Sequence, residues 1–179
     1  MSLENEEISN WENFDLDTSL LRGIYSYGFE NPSPIQQKAI KPILDGKDVI
    51  AQSQSGTGKT GCFVVASLQK IDLSLQDTQI VIMAPTRELS LQIKSVITEI
   101  GSYMKDLKTY LLIGGQSTDY DINNFKYETP HLIVGCPGRI HEMIRRKHVN
   151  TKNIKLIVLD EADEMLSQGF KEQVYNIFQ

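Results

Sequence analysis

The chain has few of the features that mark secreted, metal-binding or membrane proteins. Its 179 residues include only two cysteines, Cys62 and Cys136, and three scattered histidines. Two such cysteines make neither a disulfide framework nor a set of zinc ligands, and a reducing intracellular compartment fits them. No apolar run approaches the roughly 20 residues of a transmembrane helix, and the acidic N-terminus is not a signal peptide. We therefore expect no membrane partner.

An excess of positive charge is also missing. The chain has 23 acidic and 18 basic residues, which gives a formal net charge of −5. This excludes a protein coated in positive charge for tight nucleic-acid binding, but it does not exclude a local basic surface. Several acidic residues lie near the N-terminus, where we predict a flexible tail over residues 1–10. Residues 11–179 are enough for one sizeable core and too few for two comfortable domains.

Beyond the tail, two helices are predicted first, and strands and helices then alternate. The helices are predicted over residues 19–27, 34–46, 59–71, 88–104, 120–125, 138–146 and 168–178, and Ser33 is the predicted cap of the second. The strands are predicted over residues 49–52, 79–84, 109–113, 131–135 and 156–160. Several strands are continuous apolar runs, which is typical of strands buried on both faces. The predicted fold class is α/β, a parallel sheet flanked by helices on both faces, in which ligands gather beyond the carboxyl ends of the strands.

A glycine-rich loop follows the first predicted strand. Its glycines allow the backbone N–H groups to point at phosphate oxygens, and the next helix adds its positive N-terminal end. Lys59 can reach the outer phosphates, and the Thr60 hydroxyl can ligate Mg²⁺. The alternative is a chance surface turn, because the usual pattern begins with Gly where this chain has Ser53. The candidate ATP-binding residues of this loop are Ser53, Gln54, Ser55, Gly56, Thr57, Gly58, Lys59 and Thr60.

An acidic segment follows the last predicted strand. Asp160 is predicted to help hold Mg²⁺, and Glu161 to orient or deprotonate a water. Taken alone, an acidic helix N-terminus explains this segment, because carboxylates interact favourably with the helix dipole there. Together, the loop and the acids predict nucleoside triphosphate hydrolysis. The catalytic candidates are Lys59, Asp160 and Glu161.

With these motifs and the segment before them, the chain resembles the DEAD-box RNA helicases, and within them the translation initiation factor 4A group. The resemblance extends from about Trp11 to the end of the chain. It implies a P-loop NTPase fold, the first of two RecA-like domains. It also implies that Asp163 couples this domain to the second, which would follow Gln179.

Residues 28–36 resemble the adenine-binding motif of the family. The amide of Gln36 can donate to and accept from one base edge, which suits adenine and rejects guanine. Phe29 can stack near the base. The place of a further upstream aromatic falls on Trp11, with Phe14 as the alternative. A capped amphipathic helix would explain part of this segment, but not Gln36 and the aromatic residues.

Three further segments resemble RNA contacts of the family. A helix N-terminus can offer amides to a phosphate, and small residues let the backbone approach RNA. Taken singly, these segments also read as a capped helix and a turn. Cys136 stands where the family has Thr, and a thiol is a weaker donor, so one phosphate contact is expected to be weaker. The RNA-binding candidates are Pro85, Thr86, Arg87, Gly114, Gly115, Cys136, Pro137, Gly138 and Arg139.

The predicted function is the ATP-binding half of an ATP-dependent RNA helicase that requires ATP and Mg²⁺. The chain alone is expected to be nearly inactive, because the resemblance assigns the arginine fingers to the second domain. Two alternatives stay open: an ATP-dependent RNA clamp in a ribonucleoprotein scaffold, and a P-loop ATPase that acts on DNA. Expected partners are RNA, bound along its backbone, and translation-initiation or exon-junction proteins. The expected location is the cytoplasm, with the nucleus as the alternative.

Overall fold

The computed structural model describes residues 9–179, and most of the predicted tail lies outside these described residues. The chain divides into two compact units. The first contains the residues up to 70 together with Val96–Lys105, and the second contains Ile71–Ser95 and Asp106–Gln179. Among the helices of the described residues, none has both the length and the hydropathy needed to cross a membrane.

The first unit is helical. It contains a short 3-10 helix, three α-helices, the end of a fourth and a second 3-10 segment: Trp11–Phe14, α1 (Thr18–Ser26), α2 (Pro34–Leu44), α3 (Lys59–Gln69), the last residues of α4 (Arg87–Ile100) and Gly101–Tyr103. Ser33 is the N-cap residue of α2, and Pro34 occupies its first turn, where a missing N–H costs nothing. In α1, a Cβ on Gly23 would lie 1.8 Å from the carbonyl oxygen of Ile100, so only glycine permits this close packing.

One predicted strand is absent from this unit. Residues 49–52 lie in neither a helix nor a strand, and the side chain of Ile50 is fully exposed. The prediction rested on a short apolar run after Asp48. Such a run favours a strand only if a neighbouring strand satisfies its N–H and C=O groups, and no strand among the described residues pairs with this segment.

The second unit contains a four-stranded parallel sheet. Its strands are β1 (Ile80–Met83), β2 (Thr109–Leu112), β3 (Leu132–Gly135) and β4 (Leu156–Leu159). Their order is β2-β3-β1-β4, and the end of β1, at Met83, is in register with Gly135 on one side and Leu159 on the other. The four strands therefore end together at one edge of the sheet.

At least one helix follows each strand: α4 follows β1, α5 (Thr118–Tyr127) follows β2, α6 (Pro137–Arg145) follows β3, and α7 (Ala162–Ser167) and α8 (Lys171–Phe178) follow β4. One buried cluster contains sheet residues and residues of α5, α6, α7 and α8, so these helices cover one face. Across the sheet, the connection from β1 to β2 runs in the opposite direction to the connections from β2 to β3 and from β3 to β4. Right-handed crossovers therefore assign the beginning of α4 to the other face. The predicted α/β fold is confirmed.

The structure corrects the predicted end of the chain. The predicted helix over residues 168–178 begins only at Lys171, and a separate short helix, α7, precedes it. Gly169 separates the two helices with a φ of +87°, a left-handed conformation that glycine adopts without strain. Met165 of α7 is buried in the core cluster, so this short helix has a packing role.

Candidate nucleotide and nucleic-acid sites

The glycine-rich loop precedes α3 directly, as predicted. Gly56 and Gly58 have φ values of +79° and +94°, so the loop needs glycine at both positions. Lys59 is the first residue of α3, and its Nζ donates to the carbonyl oxygen of Ser53 over 2.8 Å. The Thr57 hydroxyl donates to the carbonyl of Gln54 at 2.7 Å, so the Ser53 hydroxyl donates to Thr57 Oγ1 at 2.6 Å. The loop thus curls around the amino end of a helix.

Gln36 connects this loop to α2. Its side chain is 2% exposed; its Oε1 accepts from the backbone N–H of Ser33 at 2.8 Å, and its Nε2 donates to the carbonyl of Gly58 at 3.1 Å. A Cβ at Gly58 would meet Ser33 Oγ at 2.7 Å and the Gln36 amide nitrogen at 2.8 Å. The side chain of Gln36, the predicted adenine-reading residue, therefore links the start of α2 to the glycine-rich loop by hydrogen bonds. Its role in binding adenine stays a prediction.

The candidate base-stacking aromatics form one group. Trp11 is fully buried and stacks on Phe29, with ring centroids 6.1 Å apart and an angle of 16° between the planes. Phe14 is also buried and packs against Trp11 at 5.7 Å. Phe29 is partly exposed, and a Cβ on Gly61 in α3 would lie 2.6 Å from its ring. Of the three, Phe29 is the ring with surface available to a base, and Trp11 supports it from behind.

The acidic segment follows β4. The Asp160 N–H donates to the carbonyl of Met83 at 2.9 Å, which extends the ladder by one bond, and its Oδ1 accepts from the N–H of Glu161 at 3.2 Å. Glu161 is exposed and left-handed, with a φ of +50°, which is uncommon outside glycine. Asp163 is exposed in the first turn of α7, where a carboxylate interacts favourably with the helix dipole.

The candidate ligands for Mg²⁺ are of a suitable chemical type. Thr60 offers a hydroxyl and Asp160 a carboxylate, the hard oxygen donors that this ion prefers. Within residues 9–179 no group of three or more His, Cys, Asp or Glu side chains is arranged to hold a metal. A magnesium ion that arrives with a nucleotide needs only one or two protein ligands, and the assignment of Thr60 and Asp160 to it stays a prediction.

The three RNA-contact candidates lie side by side. They follow β2, β3 and β1, which are adjacent in that order and end together: residues 114–115, 136–139 and 85–87. A Cβ added at Gly114 or Gly138 would meet no atom within 4 Å beyond the local backbone. Sequence alone predicted each segment separately, and the parallel sheet brings them to one edge.

Arg87 and Thr86 occupy the start of α4. Thr86 Oγ1 accepts from the N–H of Leu89 at 3.2 Å, which caps the helix as the simpler interpretation of this segment requires. Arg87 is exposed, and its guanidinium lies against Gly115, where a Cβ would be 2.2 Å from Nη1. Gly115 has a φ of +98°, so both its conformation and this contact require glycine.

Cys136 is half-buried at the N-cap of α6. Its backbone N–H donates to the carbonyl of Leu112 at 3.0 Å, and its Sγ lies 3.8 Å from Ser90 Oγ. The thiol makes no hydrogen bond that caps the helix. Burial raises the pKa of the Cys136 thiol above its usual value. The structure thus directs the thiol toward α4.

Sequence reasoning missed a buried polar network beside this edge. The carboxylate of Asp121 is completely buried, although it belongs to α5, and it pairs with the guanidinium of Arg139. Tyr110 and Gln116 donate to the same carboxylate. Burial and the hydrogen bond to Asp121 raise the pKa of Tyr110 to about 12, so its phenol keeps its proton at neutral pH. The available signal was an acidic residue on the apolar face of α5, next to Ile122.

Comparison with known proteins identifies the relatives of the chain. A family model described as DEAD/DEAH box helicase matches residues 33–179. The chain is 53% identical over 175 residues to the ATP-dependent RNA helicase eIF4A of Aspergillus niger, an alignment that covers 98% of this chain and 44% of that protein.

Solved structures agree with this relationship. A DEAD box protein from the hyperthermophile Methanococcus jannaschii superimposes with a TM-score of 0.87 at 34% identity, over 94% of this chain and 46% of that chain. Dbp5 of S. cerevisiae, in a structure bound to RNA and ADP-BeF3, gives a TM-score of 0.84 at 34% identity over 94% of this chain and 42% of that chain. The chain therefore spans less than half the length of these relatives.

Proposed function

Because the chain belongs to the DEAD/DEAH box helicase family, we propose that it is the ATP-binding half of an ATP-dependent RNA helicase. The observation that carries this proposal is the edge of the sheet where three predicted RNA-contact segments lie side by side, with open space at Gly114 and Gly138. The relatives support it, since the Aspergillus protein is an ATP-dependent RNA helicase and the yeast protein binds RNA and ADP-BeF3.

For ATP binding, we propose that the loop residues 53–60 surround the phosphates with backbone N–H groups. Lys59 would exchange its hydrogen bond to the Ser53 carbonyl for one to a phosphate oxygen. Thr60 and Asp160 would hold Mg²⁺, which when bound neutralises charge on the phosphates. Glu161, exposed after β4, would orient the attacking water as a hydrogen-bond acceptor.

For base recognition, we propose that Phe29 stacks on adenine and that Gln36 reads its edge. Gln36 would have to exchange its bonds to Ser33 and Gly58 for bonds to the base. Each exchange is nearly neutral, because one hydrogen bond contributes only about 1 kcal/mol net and the base replaces it. Movement of Gln36 would then also change how the phosphate loop is held, which links base identity to phosphate binding.

For RNA binding, we propose backbone amides at Gly114, Gly115 and the amino ends of α4 and α6 as the donors to phosphates. Such contacts carry no information on base sequence, so binding would have little sequence preference. Arg87 adds an exposed positive charge at the same edge. A second RecA-like domain, contacted through Asp163, and translation-initiation or exon-junction proteins are the proposed protein partners. The proposed location is the cytoplasm, with the nucleus as the alternative.

Nucleotide-dependent RNA binding of the full-length protein tests this proposal. We expect a labelled single-stranded RNA to bind more tightly with ADP-BeF3 than without nucleotide, and single-stranded DNA of the same sequence to bind weakly in both cases. Equal affinity for RNA and DNA would favour an ATPase that acts on DNA. Tight RNA binding with slow ATP turnover would favour an RNA clamp over an unwinding enzyme.

A further inference from the structure

We propose that Asp121 is a positioning residue for RNA binding, and that it acts through Arg139 and Gln116 to hold the loop that contains Gly114 and Gly115. The inference rests on the proposed RNA function. It assigns to Arg139, a candidate phosphate ligand by sequence, a role inside the protein instead.

The first argument is the burial of the Asp121 carboxylate. The side chain of Asp121 has no exposed surface, and that of Arg139 is 10% exposed. A buried carboxylate is costly unless charge and hydrogen bonds compensate it. Here Oδ2 accepts from Arg139 Nη1, while Oδ1 accepts from Tyr110 Oη and from Gln116 Nε2, both at 3.0 Å. Both oxygens of the buried carboxylate therefore have hydrogen-bond donors, and one of these donors is a positive charge.

The second argument is the engagement of the Arg139 guanidinium. Its Nη1 pairs with Asp121, its Nη2 donates to the carbonyl of Gln116 at 2.8 Å, and its Nε lies 3.6 Å from the carboxylate of Glu142. A planar guanidinium can span such separate acceptors, and a lysine ammonium cannot. With two carboxylates already beside it, Arg139 offers little net positive charge to a phosphate.

The third argument is the position of Gln116. This exposed residue is held twice, by its side chain on Asp121 and by its carbonyl on Arg139, and it directly follows Gly114 and Gly115. Glycines give a loop conformational freedom, so a fixed loop shape has to come from its anchors. The guanidinium of Arg87 lies against Gly115. Loss of the anchor at Gln116 would therefore disturb the Gly114–Gly115 backbone, while Arg87 stays in the first turn of α4.

Two variants, each with a matched control, test the inference in the full-length protein. Gln116→Ala removes the side-chain anchor at an exposed, uncharged position, and its control is Gln168→Ala, another exposed glutamine that binds a carboxylate within the same unit. Arg139→Lys keeps the positive charge but replaces the planar guanidinium, which can donate to several acceptors at once, with an ammonium group. Its control is Arg146→Lys, whose guanidinium pairs with Glu142 at 2.9 Å. Asp121→Asn completes the set.

Hydrogen exchange at residues 114–116 and RNA affinity are the two measurements. We expect Gln116→Ala and Arg139→Lys to speed amide exchange in this loop and to lower RNA affinity about tenfold, the size of one lost charge-assisted hydrogen bond. The controls should match the wild type. The slope of affinity against salt should stay unchanged, because no phosphate contact by a charged side chain is lost.

Other outcomes contradict the inference. If Gln116→Ala shows the same amide exchange at residues 114–116 and the same RNA affinity as the wild type, the Gly114–Gly115 loop does not depend on this side-chain anchor. If Arg139→Lys binds RNA normally, Arg139 acts as a simple charge. Asp121→Asn can fail to fold because it removes the buried negative partner of Arg139, and the Gln116→Ala result decides in that case. A wild type that binds no RNA overturns the proposed function itself, which distinguishes the two failures.

Discussion

At the scale of single residues, Cys136 shows how one side chain changes the end of a helix. It has the extended backbone of an N-cap, with φ −86° and ψ 143°, yet its thiol caps nothing. We predict that Cys136→Thr stabilises the chain by about 1 kcal/mol, because a hydroxyl can accept from an orphan N–H of α6. Chemical denaturation measures this gain. Cys136→Val, with the same shape but no hydroxyl, should not reproduce it.

The two cysteines should differ in reactivity. Burial raises the pKa of Cys62 to about 12, and it raises that of the half-buried Cys136 in the same direction. Since the thiolate is the reactive form and burial disfavours it in both cysteines, labelling should be slow at neutral pH and accelerate as the pH increases. We predict that a thiol reagent modifies Cys136 first in the native chain. Mass spectrometry of partly labelled protein checks the order, and faster labelling of Cys62 would contradict its burial.

Glu161 should separate nucleotide binding from turnover. In the full-length protein, Glu161→Gln should bind ATP like the wild type and lose most ATPase activity, because only the acceptor that orients water is changed. Glu164→Gln, one residue beyond Asp163 and also exposed, is the matched control. Measured nucleotide affinity and turnover give the two halves of this prediction. Wild-type turnover in Glu161→Gln would remove this residue from the mechanism.

At the scale of elements, α2 and the phosphate loop act together through Gln36. If Gln36 reads adenine, Gln36→Ala should reduce the preference for ADP over GDP about tenfold, because a matched pair of hydrogen bonds is lost. If Gln36 only links Ser33 and Gly58 by hydrogen bonds, the affinities for ADP and GDP should decrease equally. Calorimetry with the two nucleotides distinguishes these outcomes.

The elements also show what sequence alone could predict. Periodicity and caps predicted the four strands of the sheet and most helices, because long apolar runs and N-cap residues act locally. The prediction of a strand over residues 49–52 was wrong, because strand pairing depends on tertiary structure. The exposed side chain of Ile50 shows that an apolar residue is not always buried. The six-residue helix α7 was missed because its acidic start reads as a site motif.

The candidate sites divide in the same way. The phosphate loop, Asp160 and the three RNA-contact segments were predicted from local patterns, and their roles in binding stay predictions. The network of Asp121, Arg139 and Gln116 was not, because it joins α5, α6 and a loop that are distant in sequence. The hydrogen bond from Gln36 to Gly58 was likewise not predicted, because the two residues lie 22 positions apart in the sequence.

At the scale of the whole molecule, length and charge limit what the chain can do alone. It spans 44% of the Aspergillus relative and has a net charge of −5. We predict that the 179-residue chain shows no duplex unwinding and at most trace ATPase activity, because the arginine fingers that stabilise transition-state charge would come from a second domain. Its residual RNA binding should weaken as salt rises. Efficient unwinding by the chain alone would contradict a two-domain mechanism.

The rate of ATP hydrolysis by the full-length protein, measured with and without nucleic acid, tests the central claim most directly. We predict a slow basal rate of hydrolysis, which single-stranded RNA increases at least about tenfold and which single-stranded DNA of the same sequence leaves unchanged. Lys59→Ala should abolish hydrolysis, because it removes a positive partner of the phosphates. A rate that RNA does not change, or that DNA increases equally, would contradict the account of this chain as the ATP-binding half of an RNA helicase.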